Sequence, residues 1–374
     1  LAHFILILTL CALWLGSLVY CALAMRGAYS YLKSGAPRLA AWPAVSVLRP
    51  LAGAQDNTEA NLRSLFAQRY SEFEILLAVH EESDPAAAIA RRVMAEFPGV
   101  PSRLILSGVS PLPNAKVWSL RALLPEARHE CVVMTDSDIR LEPNCLEVVM
   151  AELAGSALVT CPYRAVGGGR FWPRLESLGL NTDFLAGMLT QRMLNGMDFA
   201  IGCTVATRKG ELAAIGGLEH LQRYLAEDFM MGNLMRAAGR EVVLSRSVIE
   251  HHIGNEGFRD TFKHRLRWAR STRRSRPAGY VGELFTKPLA LGLILVAVAP
   301  GLRFLLIPTL LLRAGVAWFT AALILGDPGI RRWWWLLPPE DLAGFATWLL
   351  GFFGKRILWR GRWLVVGRDG SFEE

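Results

Sequence analysis

At 374 residues the chain exceeds one average domain, and its 52% hydrophobic content is high for a purely soluble protein. The net charge of +8 raises nucleic acid as a partner, but much of it clusters over 265–276 beside an apolar segment, without a recognised nucleic-acid-binding motif. Attraction to anionic lipid headgroups accounts for that cluster, and no nucleic acid is expected. The six cysteines show no metal-ligand spacing and read as reduced thiols.

Residues 4–25 contain no charge, enough chain to cross a bilayer core of roughly 30 Å at ~1.5 Å per residue. An N-terminal transmembrane helix is therefore expected over 1–25. Arg26, Lys33 and Arg38 follow it, which places the next segment in the cytoplasm and the N-terminus outside. A cleaved signal peptide would carry its basic residues first. Residues 26–43, with Pro37 and Pro43, read as a linker.

Over 44–276 the pattern is that of an α/β domain. Strands are expected at 45–48, 74–79, 103–106, 131–134 and 158–160, and helices at 61–68, 85–97 and 116–124. Such alternation implies a Rossmann-like, mostly parallel sheet. Residues 199–207 read as a further strand under the site, with Gly202 allowing close backbone approach. The glycine run 167–169 reads as a loop. Neither GxGxxG after a strand nor GxxxxGK[ST] occurs, which argues against an NAD enzyme or a P-loop ATPase.

After Pro277 the apolar blocks 289–300 and 304–325, the second holding Arg313, predict a transmembrane hairpin within 277–326. A third block, 333–353, is interrupted by Pro338-Pro339-Glu340-Asp341 and reads as broken, interfacial or re-entrant. With a basic tail it fills 327–374. Trp333-Trp334-Trp335 beside Arg331-Arg332 suits a membrane interface.

In open α/β sheets ligands bind beyond the carboxyl ends of strands. Pro50, the stretch 80–84 and Asp136-Ser137-Asp138 all fall there. Alone, Asp-Ser-Asp is an ordinary turn; after the apolar run 131–134, Asp138 with Asp136 can hold a divalent cation against a diphosphate. Glu227 and Asp228 suit a helix start, and Asp228 is also a candidate general base. Asp84 either caps the helix beginning at Pro85 or contacts a nucleotide. Asn114 and Lys116 either open a helix or bring a cation to phosphate. Arg267-Trp268 reads as a juxtamembrane pair or as a diphosphate clamp beside an apolar wall. His251 and His252 lack the further ligands of a metal site and read as structural or acceptor-facing.

Together, Asp84, Asp136-Ser137-Asp138, Glu227-Asp228 and His264-Arg265-Leu266-Arg267-Trp268 resemble the separate signatures of processive-type family 2 glycosyltransferases. Val45-Ser46-Val47-Leu48-Arg49-Pro50-Leu51, the stretch 80–85, Asn114-Ala115-Lys116, Ala226-Glu227-Asp228 and the tail Trp359-Arg360-Gly361-Arg362 resemble ceramide glucosyltransferases, family 21, and their bacterial relatives. The resemblance implies a GT-A glycosyltransferase fold with N- and C-terminal transmembrane helices. It also implies inversion at the anomeric carbon, a UDP-sugar donor, a membrane lipid acceptor and a divalent cation, Mn or Mg. By matching position, Asp228 would be the base and Asp138 and Asp136 the cation ligands. Pro50, Asp84, Lys116, Asp136, Glu227, His264, Arg267 and Trp268 would bind substrate. His264 departs from the Gln or Arg usual there, though a histidine still donates to phosphate.

The full Asp-x-Asp and the run 267–274 are most similar to a bacterial branch associated with hopanoid synthesis. That branch implies N-acetylglucosamine, a hopanoid acceptor and an inner-membrane location with the catalytic domain cytoplasmic; glucose transfer to ceramide is the alternative. The expected spanning helices are too few to enclose a polymer channel, so a single transfer is expected. A non-catalytic nucleotide-sugar-binding membrane protein would need no base, against Asp228.

Overall fold

The structure is a computed structural model that describes residues 1–35, 42–354, 356–359, 362–367 and 369–373. The middle of the expected linker, 36–41, and Arg360-Gly361 of the tail lie outside the described residues.

Val- and Leu-rich runs make β1 (Val45–Pro50), β2 (Phe73–Val79), β3 (Ser102–Leu106) and β4 (Cys131–Thr135). The first, second and fourth are buried almost throughout, as strands covered on both faces must be. After them come β5 (Ile139–Arg140), β6 (Leu158–Thr160), β7 (Tyr163–Val166), β8 (Thr204–Arg208), β9 (Val242–Leu244) and β10 (Ile249–His252). The main sheet runs β3-β2-β1-β4-β8-β6-β9, parallel except for β8, which is antiparallel to both neighbours. Helices Thr58–Phe66, Pro85–Glu96 and Ala115–Leu123 follow the first three strands. A smaller sheet, β5-β10-β7, lies beyond the end of β4. It pairs His251 with Ile139 on one side and with Ala165 on the other.

Two expectations are corrected here. The strand expected over 199–207 begins only at Thr204, because the backbone of Gly202 is drawn off to side chains of the site. The N-terminal helix runs Ala2–Lys33, so the first eight residues of the expected linker are helical. They are held by packing: Tyr31 is buried in the α/β core, and its hydroxyl donates to the Ser245 carbonyl at 2.6 Å.

Among the described residues, two helices are long and apolar enough to cross a membrane, Ala2–Lys33 and Pro300–Ile324. The helical stretches Pro277–Thr286 and Pro288–Val298 meet at 65°. In the third apolar block the prolines do not break the helix, because they occupy the first turn of Leu337–Gly351, where no N–H partner is lost. Its buried acids are paired, Glu340 with Arg265 at 2.8 Å and Asp341 with Arg313 at 2.9 Å. Those pairs tie it to the helix Phe258–Ser275 and to the helical stretch Pro300–Ile324.

Candidate functional site

The site forms where β4, the start of the helix Ala115–Leu123, the 199–203 turn and the start of the helix Glu227–Ala237 converge. Asn114 caps the first helix by accepting from the Val117 N–H at 3.2 Å, which aims Lys116 inward. The Lys116 ammonium reaches Asp136 Oδ1 at 2.8 Å, Glu227 Oε1 at 3.0 Å and the Gly202 carbonyl at 3.0 Å. Its three donors are thus engaged by protein. Glu227 Oε2 accepts from Asn114 Nδ2 at 3.0 Å, and Asp228 Oδ2 accepts from the Gly202 N–H at 2.5 Å. One lysine therefore joins the Asp-x-Asp loop to the Glu-Asp helix start.

The Asp-x-Asp loop is held from several sides. Buried Arg49 donates to the Ile139 carbonyl at 3.0 Å and to Thr135 Oγ1 at 3.3 Å. The Asp136 N–H donates to the Cys203 carbonyl at 3.1 Å, and the His252 N–H to the Asp138 carbonyl at 2.9 Å. Asp138 Oδ2 lies 3.2 Å from His251 Nε2.

Charge in this pocket is uneven. Burial raises the pKa of Asp228, Glu227 raises it further, and Lys116 opposes them. Burial pushes Asp136 up to about 6 against the pull of Lys116, with Asp138 repelling. For Asp138 burial also raises, but His251 and hydrogen bonding outweigh it and hold the carboxyl below its ordinary value. The pair of acids is thereby split, with Asp138 the more firmly ionised.

Asp138 Oδ1 and His251 Nδ1 are buried without a hydrogen-bond partner among the described residues. An orphaned carboxylate oxygen on an ionised acid fits a divalent cation. Among the described residues no cluster of three or more His, Cys, Asp or Glu forms a complete cage. The donor set therefore suits a cation that takes its remaining ligands from a diphosphate and water.

Elsewhere, Pro50 ends β1 opposite Ala78. Asp84 caps its helix at the Ala86 N–H, 2.8 Å, and also accepts from the Gly53 N–H at 3.0 Å, tying the loop after Pro50 to the end of β2. His264, Arg267 and Trp268 share the helix Phe258–Ser275. His264 Nδ1 lies 2.7 Å from Glu176 Oε1, and the Trp268 ring lies 5.1 Å from His264 and 6.2 Å from Phe184. Burial lowers the pKa of Arg267, with Glu176 opposing.

Sequence reasoning missed Glu176, the structural use of Arg49 and the contact of His251 with Asp138. Glu176 sits in a helix, Phe171–Gly179, for which no element was predicted. Only the Arg49-Pro50 strand end and the His251-His252 pair gave any signal.

Close packing keeps the Asp228 helix in place. A β-carbon on Gly232 would lie 2.3 Å from the Phe199 carbonyl carbon and 2.4 Å from the Ala200 nitrogen. Gly232→Ala is expected to destabilise the protein by about 1–3 kcal/mol and to displace the 199–203 turn. Thermal unfolding and turnover of the same sample check this; an unchanged melting temperature counts against it.

A model of glycosyl transferase family 21 matches residues 8–372. The chain belongs to glycosyl transferase family 21. This family member is 27% identical over 207 residues to ceramide glucosyltransferase 1 of Caenorhabditis elegans, a match covering 54% of this chain and 44% of that protein. It is 33% identical over 100 residues to ceramide glucosyltransferase of Komagataella phaffii, covering 25% and 19%. The matches thus span less than half the length of these curated relatives. A solved mannosyltransferase of Pyrobaculum calidifontis, in complex with GDP-Man and Mn2+, superposes with a TM-score of 0.54 at 18% identity, over 93% of this chain and 99% of that one. The likeness shows a GT-A-like fold with its mostly parallel central sheet.

Proposed function

We propose that this glycosyltransferase moves one sugar from a UDP-sugar to the hydroxyl of a membrane lipid, inverting the anomeric carbon. The observation that carries the reading is Asp228, a half-buried acid with an upward-shifted pKa, linked through Gly202 and Lys116 to the Asp136-Ser137-Asp138 loop. Acid and loop are what a single displacement needs: a base for the acceptor proton and a diphosphate site for the leaving group.

In this mechanism the acceptor hydroxyl gives its proton to the Asp228 carboxylate as its oxygen attacks the anomeric carbon, and the nucleoside diphosphate leaves. A divalent cation at Asp138 and Asp136, Mn or Mg, would supply Lewis-acid stabilisation of the departing diphosphate. The bound Mn2+ of the Pyrobaculum enzyme supports such a site. Lys116 neutralises Asp136 and Glu227 and so orients both. Arg267 offers a planar fork to the diphosphate, and Trp268 an apolar wall beside it. The two spanning-length helices support a membrane position; Arg26 and Lys33 favour a cytoplasmic catalytic domain, and the hopanoid reading favours a bacterial inner membrane.

Arg267→Lys keeps the charge and removes the fork. It is expected to lower kcat/KM for the donor about tenfold or more, and unchanged turnover would remove Arg267 from the diphosphate site.

For the acceptor, the run 267–274 favours a hopanoid with N-acetylglucosamine, and the matched relatives favour ceramide with glucose. Purified protein given Mn2+ or Mg2+, a panel of UDP- and GDP-sugars and either lipid, followed by mass spectrometry, separates the two. A glycosylated lipid is expected with one UDP-sugar and one acceptor. No product from folded protein with any pair would overturn the reading.

A further inference from the structure

One wall of the site, built from the end of β4 with β7 and β10, carries three buried polar atoms without hydrogen-bond partners among the described residues. They are Asp138 Oδ1, His251 Nδ1 and the Tyr163 hydroxyl. The first two belong to the candidate cation site. Tyr163, which sits on β7 opposite Ile249 and is 3% exposed, has no role so far. The edge of its ring meets His251 at 5.2 Å, and its face stacks on Phe184 at 5.7 Å.

Buried tyrosines bring their hydroxyl to an acceptor, and others in this chain do. Tyr31 donates to the Ser245 carbonyl at 2.6 Å, Tyr70 to the Pro43 carbonyl at 2.7 Å and Tyr280 to the Trp348 carbonyl at 2.6 Å. Tyr20, whose hydroxyl also lacks a partner, lies on the N-terminal membrane helix, away from the chemistry. Tyr163 is the case inside the site. A phenol is a hydrogen-bond donor in its ordinary state. The hydroxyl thus has a proton to share, on a ring packed against His251, which itself contacts the cation-site acid Asp138 at 3.2 Å.

A neutral alcohol, which can accept from a phenol and donate onward, suits such a donor. The cover over the ring is Phe184, itself part-exposed and placed on the π-helical turn Leu180–Phe184, a feature frequent at functional sites.

Resting on the transferase reading, we propose that the Tyr163 hydroxyl donates a hydrogen bond to a substrate hydroxyl, on the transferred sugar or on the lipid acceptor, and so orients the reacting partners before Asp228. Tyr163→Phe retains the ring and its contacts with His251 and Phe184 while deleting the donor.

The test measures lipid glycosylation, donor hydrolysis without lipid, and melting temperature for wild type and Tyr163→Phe. The variant is expected to melt with wild type and to lose about ten- to a hundredfold in kcat/KM for transfer. A parallel fall in donor hydrolysis assigns the sugar as the source; unchanged hydrolysis with impaired transfer assigns the lipid. With the substrate that lacks the partner hydroxyl, wild type and variant are expected to become equal, a result that mere loss of packing would not give. Transfer and hydrolysis both within twofold of wild type overturn the proposal, and they do so independently of the transferase reading when wild type is active. If the variant does not fold, single-deoxy donors and acceptors on wild type decide: no analogue losing more than twofold overturns it. Wild type inert with every sugar and lipid overturns both.

Discussion

Asp228→Asn is expected to cut sugar transfer by about 10²–10⁴-fold, the usual contribution of a positioned general base. The amide keeps the size of the carboxylate, and its oxygen can still accept from the Gly202 N–H that now reaches Asp228 at 2.5 Å. What it cannot do is take the acceptor proton. Donor binding should change little, so the loss should fall on kcat. The wild-type pH profile gives a second signature. Because burial and Glu227 raise the Asp228 pKa, the acidic limb should lie above the ordinary carboxylate range, with rate rising as pH increases through it. That limb should vanish in the variant.

Linkage adds a stability test. An acid with a raised folded pKa contributes stability present below its unfolded pKa and lost as pH rises through the folded value. Above that folded value the Asp228 carboxylate is therefore a cost to the fold, and there Asp228→Asn should melt no lower than wild type. An inactive variant with a markedly lower melting temperature would point to a structural role. Full activity would remove Asp228 as the base.

The legible parts of this chain were those whose signals are local. The apolar runs of β1, β2 and β4 lie in single short windows, as do the helix start at Glu227-Asp228 and the Asp pair at the end of a strand. Such features follow from nearest-neighbour patterning. What stayed hidden depends on residues far apart in sequence. Lys116 meets the Gly202 carbonyl from 86 residues away, and His264 meets Glu176 from 88. The 199–203 turn has a strand-like composition, yet Gly202 gives its N–H to Asp228 and its carbonyl to Lys116, so tertiary demand overrides propensity. Pro338-Pro339 marks a helix start, since proline disrupts a helix interior but is tolerated in its first turn; the block is divided just before it, between Trp334–Leu336 and Leu337–Gly351, and Glu340 and Asp341 reach Arg265 and Arg313.

The second large effect expected is at the cation. Chelation of divalent ions should abolish transfer, and Asp138→Asn should raise the Mn2+ concentration for half-maximal activity more than about tenfold while lowering the saturated rate. The two acids are not equivalent. Asp136 is bound to Lys116 at 2.8 Å and is pushed up to about 6 by burial, so much of its charge is already spent within the protein. Asp138 has only a histidine on Oδ2, at 3.2 Å, while Oδ1 is buried with no partner among the described residues. A neutral amide at 138 would keep a contact to His251 and lose the charge that balances a dication. Asp136→Asn should instead leave the Lys116 ammonium less neutralised, lowering turnover with a smaller change in the Mn2+ midpoint. Titrating Mn2+ against initial rate in wild type and both variants separates the roles. Equal shifts in midpoint would mean that the acids ligate as a pair, and no shift in Asp138→Asn would move the cation away from this loop.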